Sequence, residues 1–148
     1  MFERIVAAID TDTERAAQVM QAAQELAQAF HSEVLVVHVR QLERSPASMA
    51  TAGRPGGLPP LVHLETEDRA EELVNSAVDQ LRSSGVRVRG QVGSAAGSTA
   101  RQLLDVAGEF GANLIVVGDR DSRVTDVVLG GVAHRIVHLA ECPVLIVR

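Results

Sequence analysis

Few side chains in this sequence stand where they could do chemistry. Asp10 closes the first apolar run, residues 5–9, where a carboxylate can take hydrogen bonds from a ligand's hydroxyls or simply start a turn. His134 and His138 are four residues apart, a helical spacing that puts two imidazoles on one face, yet a metal needs at least a third ligand and none stands at suitable spacing. Cys142, the only cysteine, precedes a proline, and no basic or histidine-rich stretch surrounds it except His138, which favours packing over a reactive thiol. The run Gly93-Ser94-Ala95-Ala96-Gly97-Ser98-Thr99 has the small residues of a phosphate loop, but the lysine such a loop needs is missing there and throughout the chain. It reads as a turn and helix cap. His38 sits inside an apolar strand and reads as a core histidine with its nitrogens satisfied. No Ser, His and Asp combine with a strained nucleophile turn. These residues point away from an enzyme and toward a binding or regulatory module.

Composition narrows the partners. The 148 residues carry 14 Lys+Arg against 19 Asp+Glu, a formal net charge of -5, so no global positive field draws the chain to a phosphate backbone or an anionic membrane. With three Phe and no Trp or Tyr it also lacks stacking platforms for single-stranded bases. Nucleic acid and membrane are therefore set aside. A single thiol, no apolar run long enough for a membrane helix and no basic-then-apolar leader lead to the expectation of a soluble cytoplasmic protein.

The elements that must position these residues follow from periodicity. Residues 5–9, 34–39, 113–118 and 143–147 are short, nearly continuous apolar runs, as strands covered on both faces require. Residues 86–92 alternate apolar and polar, which suits an edge strand. Between them, residues 13–30, 66–84 and 98–110 repeat apolar positions every three or four residues. Capping oxygens precede them: Thr11, Asp12 or Thr13 for the first, Ser98 or Thr99 for the third. A last helix follows a loop from Asp119, with Val127, Val128, Val132, Ile136, Val137 and Leu139 as its expected buried side. Residues 40–64 hold four of the five prolines and no periodicity, and read as one long, mobile loop. Five strands alternating with four helices predict a single α/β domain over 1–148. Its sheet is doubly wound and parallel, with order 3-2-1-4-5 and helices on both faces. Winding reverses between the first and fourth strands, so a ligand is expected beyond their carboxyl ends, at Asp10 and Gly118.

The order of Leu114-Ile115-Val116-Val117-Gly118, Gly130-Gly131 and Cys142-Pro143-Val144-Leu145-Ile146-Val147 resembles the universal stress protein family. Ile5-Val6-Ala7-Ala8-Ile9-Asp10 and Val36-Val37-His38-Val39 extend the likeness to the rest of the chain outside the Pro/Gly-rich stretch. The resemblance implies an adenine nucleotide alpha hydrolase-like fold and a stress-response role. It also implies an adenine nucleotide, ATP or AMP, as the one small-molecule ligand, with no other cofactor. Asp10 and Val39 match the positions that hold adenine and ribose. In the family's motif G-x-x-G-x9-G-(S/T), Gly118 matches the first glycine and Gly130 the third. The match then breaks. Asp121 stands at the second glycine, the loop is one residue short, and Gly131 replaces the hydroxyl residue, while Arg120 and Arg123 offer compensating charge. The site expected from the resemblance is thus Asp10, Val39, Gly118, Arg120, Gly130 and Gly131, with weak or absent ATP binding; an ATP-binding member with slow hydrolysis is the alternative. The last strand has no residues after it to cover its free edge and is expected to pair with its copy in a homodimer, as in the resembled family.

Overall fold

The computed structural model describes residues 1–44, 61–63, 65–95, 97–119 and 131–148, the backbone alone at 42–44 and 61–63. In chain order the elements are β1 (Arg4–Ala8), α1 (Thr13–Phe30), β2 (Glu33–Arg44), β3 (Leu61–His63), α2 (Glu67–Ser83), β4 (Arg87–Ala95), α3 (Thr99–Phe110), β5 (Leu114–Gly118), α4 (Gly131–Leu139) and β6 (Val144–Val147). Five strands make the parallel sheet β4-β2-β1-β5-β6, which is the expected order 3-2-1-4-5 of the predicted strands. In its centre Ile5 of β1 stands opposite Val34 on one side and Leu114 on the other.

Successive strand residues point to opposite faces, so a strand covered twice must be apolar at every position. Ile5 and Ala7 of β1, with Val34, Val36, Leu114 and Val116, pack under α1 and α2. Val6, Leu35, Val37, Ile115 and Val117 pack on the other side under α3 and α4. The edge strand β4 exposes Arg87, Arg89 and Gln91 and buries Val88. Gly90 lets α2 lie directly on it, because a Cβ there would come within 2.9 Å of Val78 Cγ2 and overlap Val74 as well.

The first three helices each start at a side-chain cap. Asp12, Thr66 and Ser98 accept the N–H of Arg15, Arg69 and Arg101 at 3.0, 3.2 and 3.2 Å, satisfying donors that the first turn leaves open. Among the described residues no helix is long and apolar enough to cross a membrane.

Three expectations need correction. The loop expected over 40–64 does not span that range: β2 runs on to Arg44, and Leu61–His63 pairs antiparallel with its end, so strand pairing occupies both margins. The mobility expected for the middle of this stretch falls outside the described residues. Gly93, Ser94 and Ala95 belong to β4, paired with Val39, Arg40 and Gln41, and not to a turn. In α4, Ala133 and Ile136 face the sheet, while Val137 and Leu139 are 43% and 51% exposed, because a nine-residue helix has room for a single stripe against the strands. Val132 is partly covered, and Val127 and Val128 lie outside the described residues.

Candidate functional site

At the carboxyl ends of β1, β2 and β5, where the winding of the sheet reverses, a cavity of about 290 Å³ opens. Its apolar wall comes from Val37, Val39, Leu103, Val117 and Ile136, so strands form the floor and α3 and α4 the sides. Polar groups line it as well: Asp10, Thr11, His38, Gln41, Glu65 and Thr99. An apolar pocket with a few fixed polar groups is the usual form of a small-molecule site, and 290 Å³ lies near the lower end of that class.

Asp10 follows β1 and is held at both oxygens. Oδ1 accepts the Asp12 N–H at 2.9 Å, and Oδ2 accepts from Arg15 Nε at 2.8 Å. The Arg15 guanidinium also reaches Asp12 at 3.6 Å. Its pKa is raised above the ordinary arginine value, chiefly by the hydrogen bond to Asp10, against the opposing effect of burial, with further contributions from the charges of Asp10, Asp12 and Asp119. Gly118 makes this arrangement fit. A Cβ on it would lie 2.6 Å from Arg15 Cδ, so only glycine lets the arginine cross the end of β5. Asp119 is buried, its N–H donates to the Val147 carbonyl at 2.9 Å, and Arg148 Nε stands 3.5 Å from its carboxylate.

His38 is 5% exposed and bonded at both ring nitrogens. Nδ1 lies 3.0 Å from the Ile9 carbonyl, and Nε2 meets the Glu65 carboxylate. The Ile9 carbonyl can only accept, so Nδ1–H donates to it. Arg40 Nη2 donates to the Glu65 backbone carbonyl at 3.0 Å, fixing the same residue from a second direction, while Arg40 Nε is buried without a partner. Gln41 Nε2 donates to Thr99 Oγ1 at 2.9 Å and ties β2 to the start of α3.

Of the residues expected from the sequence, Asp10, Val39 and Gly118 come together on this cavity. Gly131 opens α4 just before Val132, which lines the cavity, but is itself exposed. Arg120 and Gly130 lie outside the described residues. The reading of His38 as a satisfied histidine holds for its bonds but missed that it forms part of the cavity wall. Gln41, Glu65 and Thr99 were missed altogether. Gln41 does stand two residues beyond Val39 on the same strand face, the one signal that could have found it. His134 and His138 are both exposed, with ring centroids 4.4 Å apart, and among the described residues no three His, Cys, Asp or Glu side chains are grouped to hold a metal. Cys142 is half-buried, and burial pushes its thiol above the ordinary value.

The family model for the universal stress protein family matches residues 1–148, the whole chain. This chain belongs to the universal stress protein family. It is 32% identical to universal stress protein YxiE of Bacillus subtilis, over the full length of both. Among solved structures, a universal stress protein from Archaeoglobus fulgidus superposes with a TM-score of 0.71 at 25% identity, covering 100% of this chain and 95% of that one. The structure of the Archaeoglobus fulgidus universal stress protein in complex with dAMP matches at a TM-score of 0.68 and 25% identity, over 100% and 98% of the two chains.

Proposed function

We propose that residues 1–148 act as one cytoplasmic regulatory domain of the stress response that binds adenosine monophosphate in preference to ATP, through Asp10, Val39 and Gly118, with Arg120, Gly130 and Gly131 on the phosphate side. The observation that carries this reading is the cavity itself, an apolar slot at the winding reversal of the sheet with a fixed carboxylate at its rim. The dAMP bound to the Archaeoglobus fulgidus relative supports the ligand class.

The preference for one phosphate over three rests on charge. Beside Gly118, Arg15 faces Asp10, Asp12 and Asp119, with Arg148 also at Asp119, and the sequence adds Asp121 in place of a glycine, flanked by Arg120 and Arg123. Each further phosphate charge approaching a carboxylate at about 5 Å costs on the order of 3 kcal/mol at an effective dielectric near 20, before salt screening. A lost neutral hydrogen bond from Gly131 costs about 1 kcal/mol. Charge dominates. Titration calorimetry with AMP and ATP tests this: AMP binds more tightly to the native chain, and Asp121→Gly raises ATP affinity about tenfold. Tight ATP binding by the native chain, unimproved by the substitution, would establish an ATP-binding member instead.

Among the described residues β6 pairs only with β5, and its other edge supports a homodimer. Leu145 is 38% exposed there, Val137 and Leu139 of α4 are exposed as well, and pairing β6 with its copy across a two-fold axis would cover apolar side chains and backbone groups of the strand. Sedimentation as a dimer at micromolar concentration is the expected result.

A further inference from the structure

A groove of about 810 Å³ runs along α3 to the end of α4 and the turn before β6, at the end of the sheet opposite the cavity. Its apolar lining is Leu104, Ala107, Ala112, Ile115, Leu139 and Cys142, and Leu139 is 51% exposed there. Asp105, Glu109 and Glu141 line it as well, against one cation, Arg101. Among the described residues none of these three carboxylates forms an ion pair. Two features of the groove oppose the helices that form it. Gly108 stands in the last turn of α3, although a helix disfavours glycine more than any residue except proline. Its φ is not positive and a Cβ on it would meet nothing within 4 Å, so neither the backbone nor the packing of this chain calls for glycine. The carboxylates are also badly placed for the fold. Asp105 and Glu109 are like charges one turn apart, and Glu109 and Glu141 stand at the ends of α3 and α4, where the helix dipoles are negative. Local choices that work against the fold are expected where another function is served.

We propose that this groove is a docking site for a positively charged amphipathic helix of another protein. A helix laid along α3 packs its apolar ridge between Leu104 and Leu139, and the open space at Gly108 lets its backbone come close. Lys or Arg on the flanks of that helix meets Asp105, Glu109 and Glu141 and relieves the repulsion at both helix ends. The same charge disfavours a second copy of this chain as the occupant, because the chain has no lysine and a formal net charge of -5. Docking here does not depend on what fills the cavity at the far end of the sheet.

Fluorescence anisotropy with a labelled synthetic amphipathic helix, a Leu and Ala stripe flanked by Lys and Arg, tests the groove against a twin peptide carrying Glu at every Lys and Arg position. The native chain binds the cationic peptide at micromolar concentration and the acidic twin at least about tenfold more weakly. Neutralising the lining with Asp105→Asn, Glu109→Gln and Glu141→Gln together weakens binding of the cationic peptide about tenfold. Gly108→Leu fills the groove and weakens it by at least about tenfold, while the melting midpoint stays the same or rises, because leucine suits a helix better than glycine. Leu139→Ser, at an exposed side chain outside the core, gives a similar loss and provides the second check if Gly108→Leu disturbs α3. No binding of the cationic peptide by the native chain, or equal binding of the two peptides, would overturn the proposal. So would a loss on neutralisation with none on Gly108→Leu or Leu139→Ser, which would mark a general attraction of charge without a groove. Undiminished binding by the neutralised chain would overturn the choice of a cationic partner, and the proposal with it.

Discussion

The sheet has two outer strands, and they are finished in opposite ways. On β4 the outward positions are Arg87, Arg89 and Gln91; Arg89 pairs with Glu33 at 2.9 Å and its guanidinium lies 5.4 Å from the Phe110 ring centroid. Helix α2 lies close over the same strand at Gly90. On β6 there is no such charge: Val144, Leu145, Ile146 and Val147 are all partly or largely exposed, and the neighbouring helix offers two more exposed apolar side chains. Charged side chains on an outer strand discourage pairing with another chain, whereas an apolar strand with open backbone groups invites it. One margin carries charge that discourages pairing, and the other is apolar, as the proposed homodimer requires.

Four substitutions or measurements would break or sharpen that contrast. The largest effect is expected at β6: Leu145→Arg puts a charge into the proposed pairing strand and weakens self-association by about a hundredfold, visible as a shift to monomer in sedimentation equilibrium. At β4 the support of α2 is steric, and Gly90→Val forces Val74 and Val78 aside. Urea unfolding should register a loss of about 1–3 kcal/mol there, and an unchanged midpoint would mean that α2 is not held as closely as described. Replacing Arg87 and Arg89 together by Thr leaves stability within about 1 kcal/mol, since surface ion pairs contribute little. It removes the defence, however, so light scattering should now find concentration-dependent association through a second surface. The smallest effect concerns Cys142, just before β6. Burial raises its pKa, so at neutral pH it is less ionised than a free thiol and its alkylation by iodoacetamide is slower; the gap narrows as pH rises toward the raised value.

The contrast also marks how far the sequence could be read. Strand order was legible because residues 5–9 of the first strand region and Leu114 to Val117 of β5 are apolar throughout, as strands with two covered faces are, and because residues 86–92 alternate. The extension of β2 to Arg44 and the short β3 were not, since Gln41, Glu43 and Arg44 carry no apolar pattern and their pairing depends on a partner some twenty residues on. Periodicity put Val137 and Leu139 on the buried side of the last helix, but it cannot tell which stripe meets the sheet, and both stand exposed. The site divides in the same way. Asp10, Val39 and Gly118 sit at strand ends, where topology alone predicts a ligand. Glu65 precedes a helix and reaches the cavity only because His38 and Arg40 of another element capture it. Nor does anything local in the sequence suggest that Arg15 would lie across Gly118.

The register at the centre of the sheet bears on how the chain is made. Strand β1 takes β5 as its neighbour from more than a hundred residues downstream, while its other neighbour, β2, follows within about thirty. On the ribosome, β1 can therefore dock on β2 early but must wait with its second side bare until nearly four fifths of the chain has been synthesised. During that interval Ile5, Val6 and Ala7, all fully buried in the finished fold, form an unprotected apolar margin. Nascent chains stalled before Leu114 should thus be markedly more prone to aggregate, or to recruit a holdase, than chains stalled just beyond Gly118.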